Sequence, residues 1–148
     1  MSIFPTNILL ATDGSPEATL AAATAIQLAQ GTNSELHVVF VLHPHEHLPS
    51  EDEVLAAYDI KASQEEAERA VEYMMDQVES VGGEVAHTHL RRGRPDAEIV
   101  ALAEELASGL IVMGSRGRGG LRRALMGSVS DSVIRHAHCA VLVVRERA

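Results

Sequence analysis

Gly114-Ser115-Arg116-Gly117-Arg118-Gly119-Gly120-Leu121-Arg122-Arg123-Ala124-Leu125-Met126-Gly127-Ser128 leaves the apolar run Leu110 to Met113 and ends where a helical pattern begins. A strand that empties into a glycine-punctuated loop and then a helix is a layout for holding phosphate. Glycine removes the Cβ atoms that keep a ligand's oxygens away from the backbone. The helix start contributes unpaired N–H groups and a partial positive charge, so an anion beside Ser128, Val129 and Ser130 is stabilised. Arg116, Arg118, Arg122 and Arg123 add mobile positive charge to the same segment. The competing reading is a flexible surface connection, since glycine-rich loops of that kind are common.

The same alternation of short apolar runs and helical patterns extends in both directions from this loop. Ile8 to Ala11 is a strand, and Thr12-Asp13-Gly14 leads into a helix over about Ser15 to Gln30, opened by Ser15-Pro16-Glu17 and capped by Gly31. Its stripe of Ala18, Ala21, Ala22, Ala25, Ile26 and Ala29 is small enough to lie close on a sheet. Leu36 to Leu42 is a second strand, followed by a loop and a long helix over Glu51 to Val81. That helix has Ala67, Ala70, Val71, Met74, Val78 and Val81 inward, and Glu65, Glu68, Arg69, Glu72, Asp76 and Glu79 in solvent.

Gly82-Gly83 stops the helix, Glu84 to Leu90 reads as a third strand, and Pro95 opens a helix with Ile99, Leu102, Ala103 and Leu106 inward. Leu110 to Met113 is the fourth strand. A helix over about Ser128 to His136, burying Val129, Val133 and Ile134, precedes a fifth strand at Ala140 to Val144. Continuous apolar strands alternating with amphipathic helices predict an α/β fold: one doubly wound domain over residues 1–148, with a five-stranded parallel sheet covered by helices on both faces.

Composition narrows the partners. At 148 residues the chain suits one domain, and its net charge of -9 opposes non-specific attraction to nucleic acid or anionic lipid. A small phosphate ligand fits better than a polymer. The lone Cys139 predicts a reduced, cytoplasmic setting and a buried structural thiol. Met1 to Thr6 has no signal-peptide pattern, and no apolar stretch is long enough to span a bilayer.

In a doubly wound sheet ligands bind at the carboxyl ends of the strands, where the strand order reverses. With the order 3-2-1-4-5 that point lies between the first and fourth strands. Thr12 and Asp13 leave one of them, and Met113, Gly114, Arg116 and Gly117 leave the other. Asp13 then either accepts from a ribose hydroxyl or acts as a turn residue that bonds its own backbone.

At this point the chain resembles the universal stress protein family over nearly its whole length. The motif of the nucleotide-binding branch is a glycine, two residues, a glycine, nine residues, then Gly-Ser or Gly-Thr, and Gly114, Gly117, Gly127 and Ser128 match it position for position. Thr12-Asp13-Gly14-Ser15, Gly93-Arg94-Pro95 and Gly127-Ser128-Val129-Ser130 are further matching pieces. The resemblance implies bound ATP, with Asp13 near the ribose, the Val41 backbone beside adenine, and Gly114, Gly117, Gly127, Ser128 and Val129 around the phosphates. It also implies a homodimer paired through the last strand, the apolar edge of the predicted sheet.

The loop lacks the lysine of a phosphate-binding NTPase motif, because the single lysine is Lys61. The expectation is therefore a nucleotide-dependent regulator or sensor of stress with slow or no hydrolysis. A low-turnover ATPase, with Ser128 or Ser130 helping to ligate Mg²⁺, and a cyclic AMP binder are the alternatives. The alternating His43, His45 and His47 raise a metal site as a question, which Pro44 and Pro49 weigh toward a solvated loop. His87 and His89 read as polar residues of an edge strand.

Overall fold

Strand and helix alternate through the computed structural model, which describes residues 2–13, 16–42, 53–80, 82–115 and 127–145. The elements are β1 (Asn7–Thr12), α1 (Pro16–Thr32), β2 (Glu35–Leu42), α2 (Glu53–Ser80), β3 (His87–Arg92), α3 (Pro95–Glu105), β4 (Leu110–Gly114), α4 (Ser128–His136) and β5 (Ala140–Val144). The five strands are all parallel and lie in the order β3-β2-β1-β4-β5, as expected from the sequence.

Side chains alternate across the sheet, and each face has its own core. On one face Ile8 and Leu10 of β1, Leu36 and Val38 of β2, and Leu110 and Val112 of β4 meet Ala21, Ala22, Ala25, Ile26 and Ala29 of α1 and Val78 of α2. On the other, Leu9, Ala11, Val39, Ile111 and Met113 meet Ile99, Leu102 and Ala103 of α3 and Val133 of α4. Both faces of β1 are thereby buried, which is why it reads as an unbroken apolar run. Each fully buried Leu or Ile contributes about 1.5–3 kcal/mol.

The small-residue stripe of α1 is buried as expected, and so are Ala67 and Val78 of α2. Glu65, Glu68, Arg69, Glu72, Asp76 and Glu79 face solvent. Val81 and the side chains of Ala70 and Met74 lie outside the described residues.

Four local expectations change. α1 passes through Gly31 to Thr32, and Asn33 (φ 55°) takes the left-handed position; the Ser34 N–H reaches Ala29 O at 2.9 Å. Asparagine tolerates that conformation because its short polar side chain bonds locally. β3 begins at His87, three residues later than the sequence suggests. Before it, Gly83 threads between two helices: a Cβ there would lie 2.8 Å from Val78 Cγ1 and 2.9 Å from Ile26 Cγ2. Ile134 of α4 is 53 % exposed. Val129 and Val133, four residues apart, define the inward stripe, and the next position turns away from it. Cys139 is half-buried, and burial raises its thiol pKa.

Candidate functional site

The parallel sheet brings the carboxyl ends of β1 and β4 side by side, since Ile8, Leu9 and Leu10 pair with Leu110, Ile111 and Val112. Thr12 ends β1 and is buried, and Asp13 follows it half-buried. β4 ends at Gly114, and the Ser115 N–H donates to Val144 O of β5 at 3.0 Å, which fixes the chain as it leaves the sheet. Thr12 pairs with Phe40 of β2, so Val41 lies one residue farther along the neighbouring strand. Val41, Met113 and Val129 join one apolar cluster on the face covered by α3 and α4. The sheet thus draws together side chains from three stretches of sequence that the motif reading assigned to one ligand.

α4 starts against the exit of β4. Gly127 caps it with φ +83°, a conformation that strains any residue with a Cβ. A Cβ built there would stand 3.1 Å from Ser130 Oγ and 3.9 Å from Ser115 O, so the cap lies close to both segments. The Asp131 N–H reaches Gly127 O at 2.5 Å, closing the first turn. The amides of Ser128, Val129 and Ser130 come before that bond and have no partner within the helix. Among the described residues no side chain caps this end, which leaves it suited to an external anion. Ser128 is exposed and Ser130 is buried.

The third side of this rim is set by Gly93-Arg94-Pro95. The Gly93 N–H donates to Leu42 O at 2.9 Å, and Pro95 opens α3 with its fixed φ and missing donor. α3 is clamped to α4 by Asp96, whose Oδ2 accepts from Ser132 Oγ at 2.6 Å and from the Arg94 guanidinium at 2.9 Å. The Ser132 hydroxyl, helped by Arg94 and the Ala97 N–H, holds the Asp96 carboxyl below the usual carboxylate range.

Of the residues singled out in the sequence, Thr12, Asp13, Val41, Met113, Gly114, Gly127, Ser128, Val129 and Ser130 are placed around this rim. Arg116 and Gly117, with the rest of 116–126, lie outside the described residues, as do His43, His45 and His47. Sequence reasoning missed a second cluster on the α3 face. His37 of β2 lies beside His87 and His89 of β3, because His37 pairs with His87 and Val39 with His89. Its signal was available: one histidine in a strand and two at alternate positions of the next. What the sequence withheld was the register that aligns them.

No helix among the described residues is long and apolar enough to cross a membrane. The model of the universal stress protein family matches residues 5–145. A universal stress protein of Methanocaldococcus jannaschii is 38% identical over 142 residues, covering 94% of this chain and 81% of its own. Among solved structures, the universal stress protein UspA of Lactobacillus plantarum superposes with a TM-score of 0.83 at 26% identity, covering 97% of this chain and 100% of that one. A universal stress protein crystallised in complex with cyclic AMP superposes with a TM-score of 0.70 at 26% identity, covering 94% of this chain and 96% of that one.

Proposed function

The chain belongs to the universal stress protein family, and from that premise we propose that it is an ATP-binding regulator or sensor of the stress response with slow or no hydrolysis. The observation that carries this reading is the start of α4, where a left-handed glycine cap presents three amides beside the exit of β4. The triphosphate would lie against Gly114, Gly127, Ser128, Val129 and Ser130; Arg116 and Gly117, assigned to it by the sequence, lie outside the described residues. The ribose would meet Thr12 and Asp13. Adenine would be wedged between aliphatic side chains near Val41 and Met113, a slot suited to a chain with 3% aromatic residues. Ser128 or Ser130 would help to hold Mg²⁺ brought in with the phosphates.

The test is the mass spectrum of the small molecule released when the purified protein is denatured, joined to calorimetry with ATP. Release or saturable binding of ATP is expected. A protein that releases no nucleotide and binds none in calorimetry overturns the reading. The solved relative with cyclic AMP favours a second ligand, and competition between ATP and cyclic AMP distinguishes the two. Single-turnover assays with radiolabelled ATP separate a binder from a low-turnover ATPase.

Residues 1–148 would form one nucleotide-binding domain, acting in the cytoplasm. Two copies would also pair through β5, which among the described residues is hydrogen-bonded only to β4 within the sheet. Equilibrium sedimentation is expected to give a dimer, and a monomer at high micromolar concentration removes that part.

A further inference from the structure

At the edge of the sheet, three imidazoles cluster on the face that α3 covers, His37 stacked on His89 and His87 tilted against both. His37 is only 3 % exposed, and its Nδ1 lies 3.0 Å from His89 Nε2. The His37 ring centroid is 5.1 Å from that of His87 and 5.3 Å from that of His89, and the last two are 6.3 Å apart. A tetrahedral zinc bound to imidazole nitrogens at about 2.1 Å holds ring centroids about 5 Å apart. Burial has also left a cost in place: His37 Nε2 has no hydrogen-bond partner, with Glu35 Oε2 3.5 Å away. An orphaned nitrogen in a buried ring calls for an explanation.

We propose that His37, His89 and His87 form a binding site for a zinc-class divalent cation, separate from the nucleotide rim. His37 Nδ1 and His89 Nε2 are the paired donors, and the exposed His87 turns in as the third. Among the described residues no group of three or more His, Cys, Asp or Glu side chains already stands in metal-holding geometry, so the turn of His87 is required. A metal on Nδ1 fixes the His37 proton on Nε2, which then faces the Glu35 carboxylate. That carboxylate–imidazole–metal order is how proteins commonly orient a ligating histidine.

The surrounding charges favour a cation. Glu35 stands on β2, and Glu98 and Glu105 approach from α3. Against these three carboxylates is Arg91 of β3, already paired with Glu98 and Glu105. Burial, then the neighbouring His37 and His87 and Arg91, lower the His89 pKa, with Glu105 opposing.

The experiment is calorimetric titration of the full-length chain with zinc chloride, with cobalt(II) absorption as a second readout. One equivalent per chain and a tetrahedral cobalt spectrum are expected. His89→Ala abolishes saturable binding, and Glu35→Gln weakens it by roughly 10–100-fold. His43→Asn/His45→Asn/His47→Asn in one chain leaves it unchanged. Absence of binding to the wild-type chain overturns the proposal, and so does binding that survives His89→Ala but is lost in the triple variant. Should circular dichroism show that His89→Ala does not fold, His87→Ala, at an exposed position, decides by loss or retention of the cobalt spectrum.

Discussion

The centre and the edge of this sheet solve opposite problems. β1 and β4 are buried on both faces, and at their carboxyl ends polar contact is left to backbone amides, a glycine cap and Thr12-Asp13. β3 shows exposed or half-exposed side chains along its whole length and carries its polarity in His87, His89 and Arg91. Between Ile8 and Ala11 and between Leu110 and Met113 neither strand carries a titratable side chain, so under the proposed function recognition would pass to the main chain where the strands end. An edge strand has room, and chemistry can reside in its side chains.

The largest expected effect comes from attacking the core beneath the central rim. Leu102 is 1 % exposed between α3 and the sheet, and Leu102→Ala should cost about 2–5 kcal/mol in urea unfolding. Leu90 of β3 is 45 % exposed, and Leu90→Ala should cost only about 0.5 kcal/mol. Equal losses at the two positions would break the contrast between centre and edge.

Next is Gly127→Val. A β-branched residue at φ +83° stores about 1–3 kcal/mol of strain and crowds Ser130 Oγ. Calorimetry should show ATP affinity lowered by about tenfold or more while the far-ultraviolet dichroism stays native. Unchanged affinity would show that the start of α4 is not the phosphate seat.

Asp13→Ala is a milder probe of the same rim. Loss of one hydrogen bond is worth about 0.5–1.5 kcal/mol, so nucleotide binding should weaken roughly two- to tenfold and survive. Complete loss of binding in a folded variant would mean that Asp13 shapes the turn rather than meeting the sugar.

The smallest effect is on the clamp between α3 and α4. The Asp96 pKa is lowered from 3.8 in the fold, mainly by Ser132. The unfolded chain therefore binds its proton first, and the stabilisation is complete above that value and lost as the pH falls through the native pKa. Ser132→Ala should raise the native pKa and flatten the decline in urea midpoint below about pH 4. An unaltered acid limb would show that the Ser132–Asp96 bond contributes nothing to stability.

The central half of this architecture was legible because its determinants are local. Apolar runs marked β1, β2, β4 and β5, the alanine stripe marked α1, and the glycine spacing marked where β4 gives way to α4. The edge was read less well for a physical reason: β3 has no continuous apolar run, so its start follows from pairing His37 with His87 rather than from its own residues. For the candidate site, Gly114, Gly127 and Ser128 of the motif lie where β4 ends and α4 begins. The contribution of Val129 to the same apolar cluster as Val41 and Met113 depends on how α4 docks, which spacing alone does not encode.

Gly83 acts as a gauge on the distance between α1 and α2. With Val78 Cγ1, Ile26 Cγ2 and the Val78 carbonyl oxygen all within 3.1 Å of the missing Cβ, even a methyl group must wedge the two helices apart. Because α1 also lies over the central strands, that displacement would propagate from the margin of the molecule toward its middle. One absent carbon thereby sets how closely the whole helical layer can settle.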